Sequence, residues 1–143
     1  MTFKAARPIT KRVKVVEVGP RDGLQNESGP MLGAAIKSTL INQLAAAGLT
    51  HIEAAAFVHP RWVPQMANSA EVMQLITRHN HVSYSALTPN MQGLERALEA
   101  GVDEVAVFGA ASESFSQQNT NCSIAEALTR FEPVAKAALD AGI

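Results

Sequence analysis

With 143 residues, 47% of them apolar and 17% charged, the chain can bury a sizeable core and is too apolar for a disordered segment. Its formal charge of −1 leaves no electrostatic footprint for nucleic acid, so small molecules are the expected partners. No apolar run approaches the roughly 18 residues of a membrane span, and the single cysteine, Cys122, cannot form an internal disulfide, which favours a reducing, cytoplasmic compartment.

The first fourteen positions carry Lys4, Arg7, Lys11, Arg12 and Lys14 without an acid. This is read as a basic, solvated tail over 1–12 rather than a mitochondrial targeting helix, because Pro8 interrupts any helix and a strand follows at once. Val13 to Val18 is rich in β-branched residues and stops at Gly19-Pro20, predicting strand one. From Ala34 to Ala47, apolar Ile36, Leu40, Ile41, Leu44 and Ala47 recur at helical spacing, with Gly48 placed for a left-handed C-terminal cap. His51 to Phe57 predicts strand two, and Met66 to Arg78 a helix burying Val72, Met73, Leu75 and Ile76. Val82 to Leu87 predicts strand three, followed by a helix with Leu94, Ala97 and Leu98 inward and by strand four over Glu104 to Phe108. The last helix starts at Ser123, where Ser123-Ile124-Ala125-Glu126 fits a capping box. Pro133, about ten residues on, is expected to kink or break that helix.

Strands alternating with helices of 10–15 residues predict an α/β fold of parallel (β/α) units. Ala47-Gly48-Leu49, Ala100-Gly101-Val102 and Ala141-Gly142-Ile143 each close a helix, and the first two precede strands; by the same logic a fifth strand belongs after Ile143, so the chain reads as truncated. Four units amount to half the strands of a TIM barrel, which takes about 250 residues, and residues 13–143 are read as that partial barrel. A small open doubly wound sheet is the alternative, with apolar edges that invite pairing.

Just beyond strand one, Arg21, Asp22, Gln25, Asn26 and Glu27 gather polar groups where a barrel keeps its active site. Arg21 and Asp22, adjacent at a strand end, point in different directions: one can hold a metal while the other meets substrate charge. A charged loop with a surface ion pair is the competing reading.

Val13 to Glu27 (Val-Lys-Val-Val-Glu-Val-Gly-Pro-Arg-Asp-Gly-Leu-Gln-Asn-Glu) resembles the opening strand and loop of 3-hydroxy-3-methylglutaryl-CoA lyases. Ile52-Glu53-Ala54, Phe57-Val58, Trp62-Val63-Pro64-Gln65-Met66, Leu87-Thr88-Pro89-Asn90, Phe108-Gly109-Ala110-Ala111-Ser112-Glu113 and Asn119-Thr120-Asn121-Cys122-Ser123-Ile124 extend it. The resemblance implies a hydroxymethylglutaryl-CoA lyase of leucine degradation, cleaving 3-hydroxy-3-methylglutaryl-CoA to acetoacetate and acetyl-CoA with Mg2+ or Mn2+, and a homodimer at full length. It implies that Asp22 is a metal ligand, the other ligands lying outside this chain, and that Arg21 stabilises an enolate oxygen. Glu53 is a further catalytic candidate, and Gln25, Asn119 and Trp62 are candidate substrate-binding residues. A fragment limited to these positions is expected to be inactive.

Two positions depart from the family pattern: Ala56 and His59 stand where a hydroxyl residue is usual, which leaves a related 3-hydroxyacyl-CoA open as substrate. His79-Asn80-His81 has ligand-like spacing but precedes strand three, at the end of the sheet away from Asp22. Cys122 is read as a structural thiol beside the capping box. Competing functions are a synthase or aldolase of the same superfamily, and a non-catalytic half-barrel that self-assembles.

Overall fold

The computed structural model describes residues 13–143; the basic tail expected over 1–12 lies outside the described residues. The elements are α1 (Ala34–Ala46), β1 (His51–Ala56), α2 (Ser69–Leu75), β2 (Ser83–Leu87), α3 (Met91–Glu99), β3 (Glu104–Ala106), α4 (Glu113–Thr120) and α5 (Ile124–Asp140). The three strands form one parallel sheet in the order β1-β2-β3. Helical connections return the chain to the same end of the sheet each time, as a parallel sheet requires. All C-terminal strand ends therefore open on one rim.

Strand one does not form as expected. Its segment makes a single parallel bridge, Glu17 to Ile52, through Glu17 N–H to His51 O (2.9 Å) and Glu53 N–H to Glu17 O (2.8 Å). Val13, Val15, Val16 and Val18 are all exposed. β-propensity alone cannot hold a strand when nothing packs against its valines. Lys14 of this segment pairs with Glu104 of β3 at 3.1 Å. The Ser83 hydroxyl also donates to Glu104 (2.8 Å), and these two donors hold the Glu104 carboxyl below its ordinary value.

The buried face of α1 is rotated from the expected one. Ile41 is buried, but Ile36 and Ala47 are exposed, and the face toward the sheet consists of Ala34, Lys37, Ser38, Ile41 and Ala45. Those positions keep helical spacing, so the periodicity is real, but two polar residues occupy it. The helix expected over Met66 to Arg78 is a 3-10 turn at Pro64–Met66 followed by the shorter α2, and Leu75 points to solvent. α3 buries Leu94 and Ala97 but leaves Leu98 partly exposed. Strand four is shortened to β3, and α4 is an additional helix with no counterpart among the expected elements.

The capping box forms as read: the Ser123 side chain accepts from Glu126 N–H (3.1 Å), and Glu126 accepts from Ser123 N–H (2.8 Å). α5 runs unbroken through Pro133. Gly48, Gly101 and Gly142, the three glycines of the Ala-Gly echo, share positive φ (97°, 69° and 82°), which is why glycine ends each helix.

The main core packs Ile41, Ile52, Phe57, Val72, Met73 and Tyr84 between the sheet and α1 to α3; Leu94, Val134 and Ala138 form a second cluster against α5. Along β2, Tyr84 and Ala86 are buried toward the helices, whereas Ser83, Ser85 and Leu87 on the opposite face are half-buried. β1 is buried along nearly its whole length, as the both-faces-covered pattern expects, whereas β2 alternates.

Candidate active site

The chain leaves its bridge with β1 through one wide helical turn, Gly19–Gly23. Asp22 N–H and Arg21 N–H both donate to Val18 O (2.7 and 3.1 Å), so the two residues lie on a tight coil at the C-terminal rim. The Glu17 carboxylate folds back to accept Gly19 N–H at 2.6 Å. A Cβ at position 19 would come within 2.7 Å of that oxygen, so glycine permits the approach.

Four of the expected site residues come together here. Arg21 Nη2 donates to Glu53 Oε2 at 2.8 Å and Nη1 to Asp22 Oδ1 at 3.0 Å, and Gln25 Nε2 donates to the same Asp22 Oδ1 at 2.8 Å. The bridge between residue 17 and residue 52 sets this register, placing Glu53 opposite the turn. The expectation that Arg21 and Asp22 point apart is corrected. In a helical turn the guanidinium bends over its neighbour, whereas divergence belongs to an extended chain. Glu53, third residue of β1 rather than a strand-end residue, has a side chain only 6% exposed, against 15% for Arg21 and 53% for Asp22.

Burial is therefore graded from the sheet outward: a shielded glutamate, a half-shielded guanidinium and a carboxylate facing solvent. Buried polar groups are normally satisfied. Arg21 Nε and Glu53 Oε1 are buried without a partner, so the ion pair leaves one donor and one acceptor unsatisfied. Both hydrogen bonds to Asp22 fall on Oδ1, so its second oxygen has no recorded partner among the described residues.

Trp62 and Asn119 do not join this cluster. Trp62, 85% exposed, sits in the turn after β1, and Asn119 lies on the exposed side of α4; no hydrogen bond links either to Arg21, Asp22, Gln25 or Glu53 among the described residues. Position 56 has no hydroxyl of its own, and Ser69 Oγ from α2 accepts Ala56 N–H at 3.2 Å. His59 is exposed, and Cys122 is buried against the Thr120 hydroxyl (3.2 Å).

A cavity of about 450 Å³ lies at the opposite end of the sheet, lined by His51, His79, His81, Tyr84 and Asp103. The His79 and His81 rings are 5.6 Å apart there. Because the strands are parallel, it cannot share a ligand with Asp22, and the unpartnered guanidinium and carboxylate atoms make the opposite rim the better site.

The sequence reading missed Lys37, Asn68 and Thr88. Thr88 is fully buried at the end of β2 with its hydroxyl unpartnered. Lys37 was detectable as a polar residue on the line Ala34, Ile41, Ala45 that the sheet buries.

A family model described as HMGL-like matches residues 12–143. A Pseudomonas aeruginosa protein named 3-hydroxy-3-isohexenylglutaryl-CoA/hydroxy-methylglutaryl-CoA lyase is 58% identical over 130 residues, spanning 91% of this chain and 43% of that protein. The solved hydroxymethylglutaryl-CoA lyase of Pseudomonas aeruginosa superposes with a TM-score of 0.87 at 58% identity, over 91% of this chain and 43% of that one. An HMG-CoA lyase from Acinetobacter baumannii, solved with coenzyme A and 3-methylmalate, gives a TM-score of 0.80 at 36% identity, covering 85% of this chain and 40% of that one. The chain thus spans under half the length of these proteins. Its parallel (β/α) units correspond to the first part of their TIM barrel.

Proposed function

From the premise that the chain belongs to the HMGL-like family, we propose that the whole protein is a metal-dependent carbon–carbon lyase that cleaves 3-hydroxy-3-methylglutaryl-CoA to acetoacetate and acetyl-CoA. The observation that carries the proposal is the Arg21–Glu53 pair with its unpartnered Nε and Oε1, set beside a solvent-facing carboxylate on the rim.

The reaction is a reverse Claisen cleavage. The tertiary hydroxyl loses its proton, the oxygen collapses to a ketone, and the bond between C2 and C3 breaks. Its electron pair passes to the thioester as an enolate, which is protonated to acetyl-CoA. Negative charge on the enolate oxygen calls for a fixed cation that does not titrate, and a guanidinium meets both demands. Arg21 is held in place by Glu53, which fixes its charge beside the rim turn. Gln25 orients the Asp22 carboxylate from the side.

Asp22 fits one position of a hard-cation site, since its second oxygen is uncommitted and faces solvent. Bound there, Mg2+ or Mn2+ supplies Lewis acidity that lowers the pKa of the substrate hydroxyl. One carboxylate is far from the roughly six donors such a cation needs, and no cluster of three ligating residues occurs among the described residues. The chain spans 43% of its Pseudomonas aeruginosa relative, and the whole protein would have to supply the remaining ligands.

The same site supports a wider acyl range. Ala56, at the end of β1, offers no hydroxyl to the substrate, and the Pseudomonas aeruginosa relative is named for two substrates. A cytoplasmic location is part of this reading, resting on the lone thiol of Cys122; no helix among the described residues is long and apolar enough to cross a membrane. A homodimer is carried by the resemblance alone, and sedimentation of the whole protein tests it.

The direct test is incubation of the whole protein with 3-hydroxy-3-methylglutaryl-CoA and Mg2+ or Mn2+, following acetoacetate and acetyl-CoA. Stoichiometric appearance of both is expected. Condensation of an acyl-CoA with a keto acid, without cleavage, would replace the lyase reading by the synthase one.

A further inference from the structure

Lys37 is 3% exposed and forms no ion pair among the described residues. A buried ammonium without a counter-ion is costly, and desolvation holds its pKa below the ordinary lysine value. A methionine of similar length would fill the same space without that cost. The amine is retained where it hydrogen-bonds: Nζ donates to the Gln65 main-chain oxygen and to Asn68 Oδ1, the latter at 2.8 Å.

Those two partners reach the site loop. Gln65 Oε1 accepts Leu32 N–H (3.1 Å), and its Nε2 donates to Glu27 O (3.2 Å) and Pro30 O (3.3 Å). Asn68 Nδ2 donates to Leu32 O (2.9 Å). Glu27 N–H in turn donates to Leu24 O (3.2 Å), and Asn26 Nδ2 to Asp22 O (2.8 Å). Two amide side chains thus clamp 27–32 from one side, while the Asn26 side chain and one backbone bond tie the start of that loop to the Arg21–Asp22 turn. Lys37 is the group that fixes the clamp to α1.

We propose that Lys37 is a positioning residue for the candidate active site: its buried ammonium anchors residues 65–68, and through Gln65 and Asn68 it sets the loop that presents Asp22 and Arg21. The effect on turnover rests on the lyase reading; the anchoring does not.

Hydrogen exchange and steady-state kinetics on the whole protein test the two parts separately. In Lys37→Met, amides of 24–32 should lose protection about tenfold while those of the core segment 84–97 keep theirs. The kcat should fall about tenfold or more, with KM for the thioester changed by less than about threefold. Asn68→Ala, which leaves the amine and its bond to Gln65, should loosen Leu32 in the same direction and serves if Lys37→Met does not fold. Unchanged exchange over 24–32, or equal loss in loop and core, would overturn the proposal. Loosened loop amides in a protein whose wild type cleaves no thioester would sink the lyase reading and leave the anchoring in place. Cleavage by the wild type with no loop effect would do the reverse.

Discussion

Removing the Glu53 charge is the perturbation whose size follows most directly from the geometry. At 2.8 Å and an effective dielectric of about 20, the Arg21–Glu53 attraction is about 6 kcal/mol, most of it offset by desolvating a carboxylate only 6% exposed. Truncating one partner leaves the other shielded and uncompensated, so Glu53→Ala in the whole protein should destabilise by about 3 kcal/mol. Glu53→Gln keeps the volume and an acceptor for Nη2 and should cost about half as much. A double-mutant cycle with Arg21→Met, read by urea unfolding, should give a coupling of about 2 kcal/mol. If Glu53 positions the guanidinium, Glu53→Gln should also lower kcat by about tenfold or more with little change in KM. Coupling below about 0.5 kcal/mol would show that the pair is no more than a surface contact and remove the basis for placing Arg21 at the reacting centre.

Three smaller predictions test the framework around the site. Gly93 lies under the end of β1, where an added Cβ would meet Phe57 O at 2.6 Å; Gly93→Ala should therefore lower stability by about 2 kcal/mol instead of the usual helix gain, seen as a fall in Tm. Gly33 caps α1 with no side-chain bond and open space around it, so Gly33→Ser should raise stability by a few tenths of a kcal/mol, seen as a small rise in Tm. Glu126 is held below its ordinary value of 4.5 by the Ser123 N–H and hydroxyl. The capping-box contribution is complete above pH 4.5 and lost as pH falls through the lower folded value. Glu126→Gln should flatten the acid limb of a stability–pH curve and leave the neutral region parallel to wild type.

Local signals carried most of the fold. The capping box at Ser123 and the left-handed glycines after α1, α3 and α5 depend on a few adjacent residues, and the alternation of strands and helices on short windows. What depended on distant partners was less legible. Val13 to Val18 has the composition of a strand, but it makes a single bridge, and its valines are exposed with nothing packed against them. The face of α1 was misplaced because it was read from apolar residues alone, whereas Lys37 and Ser38 are also buried, and Gln65 and Asn68, some thirty residues away, make burial of that lysine tolerable. α4 escaped notice because Ser-Phe-Ser-Gln-Gln-Asn-Thr has little apolar periodicity.

At the site, the motif itself marked Arg21, Asp22 and Gln25, since they share one turn. Their relation to Glu53 follows from the bridge register between residues 17 and 52, which spacing along the chain does not encode. Trp62 and Asn119 were singled out by motif alone, and no hydrogen bond ties them to the cluster among the described residues.

The separation of duties between Arg21 and Asp22 is read most directly by titrating Mn2+ into whole-protein Arg21→Gln and Asp22→Asn while measuring cleavage of the thioester. Arg21→Gln should bind Mn2+ within about threefold of wild type yet lose turnover by about a thousandfold, whereas Asp22→Asn should lose tenfold or more in Mn2+ affinity, by about the worth of a charged ligand. Loss of Mn2+ binding and turnover together in Arg21→Gln would contradict the division.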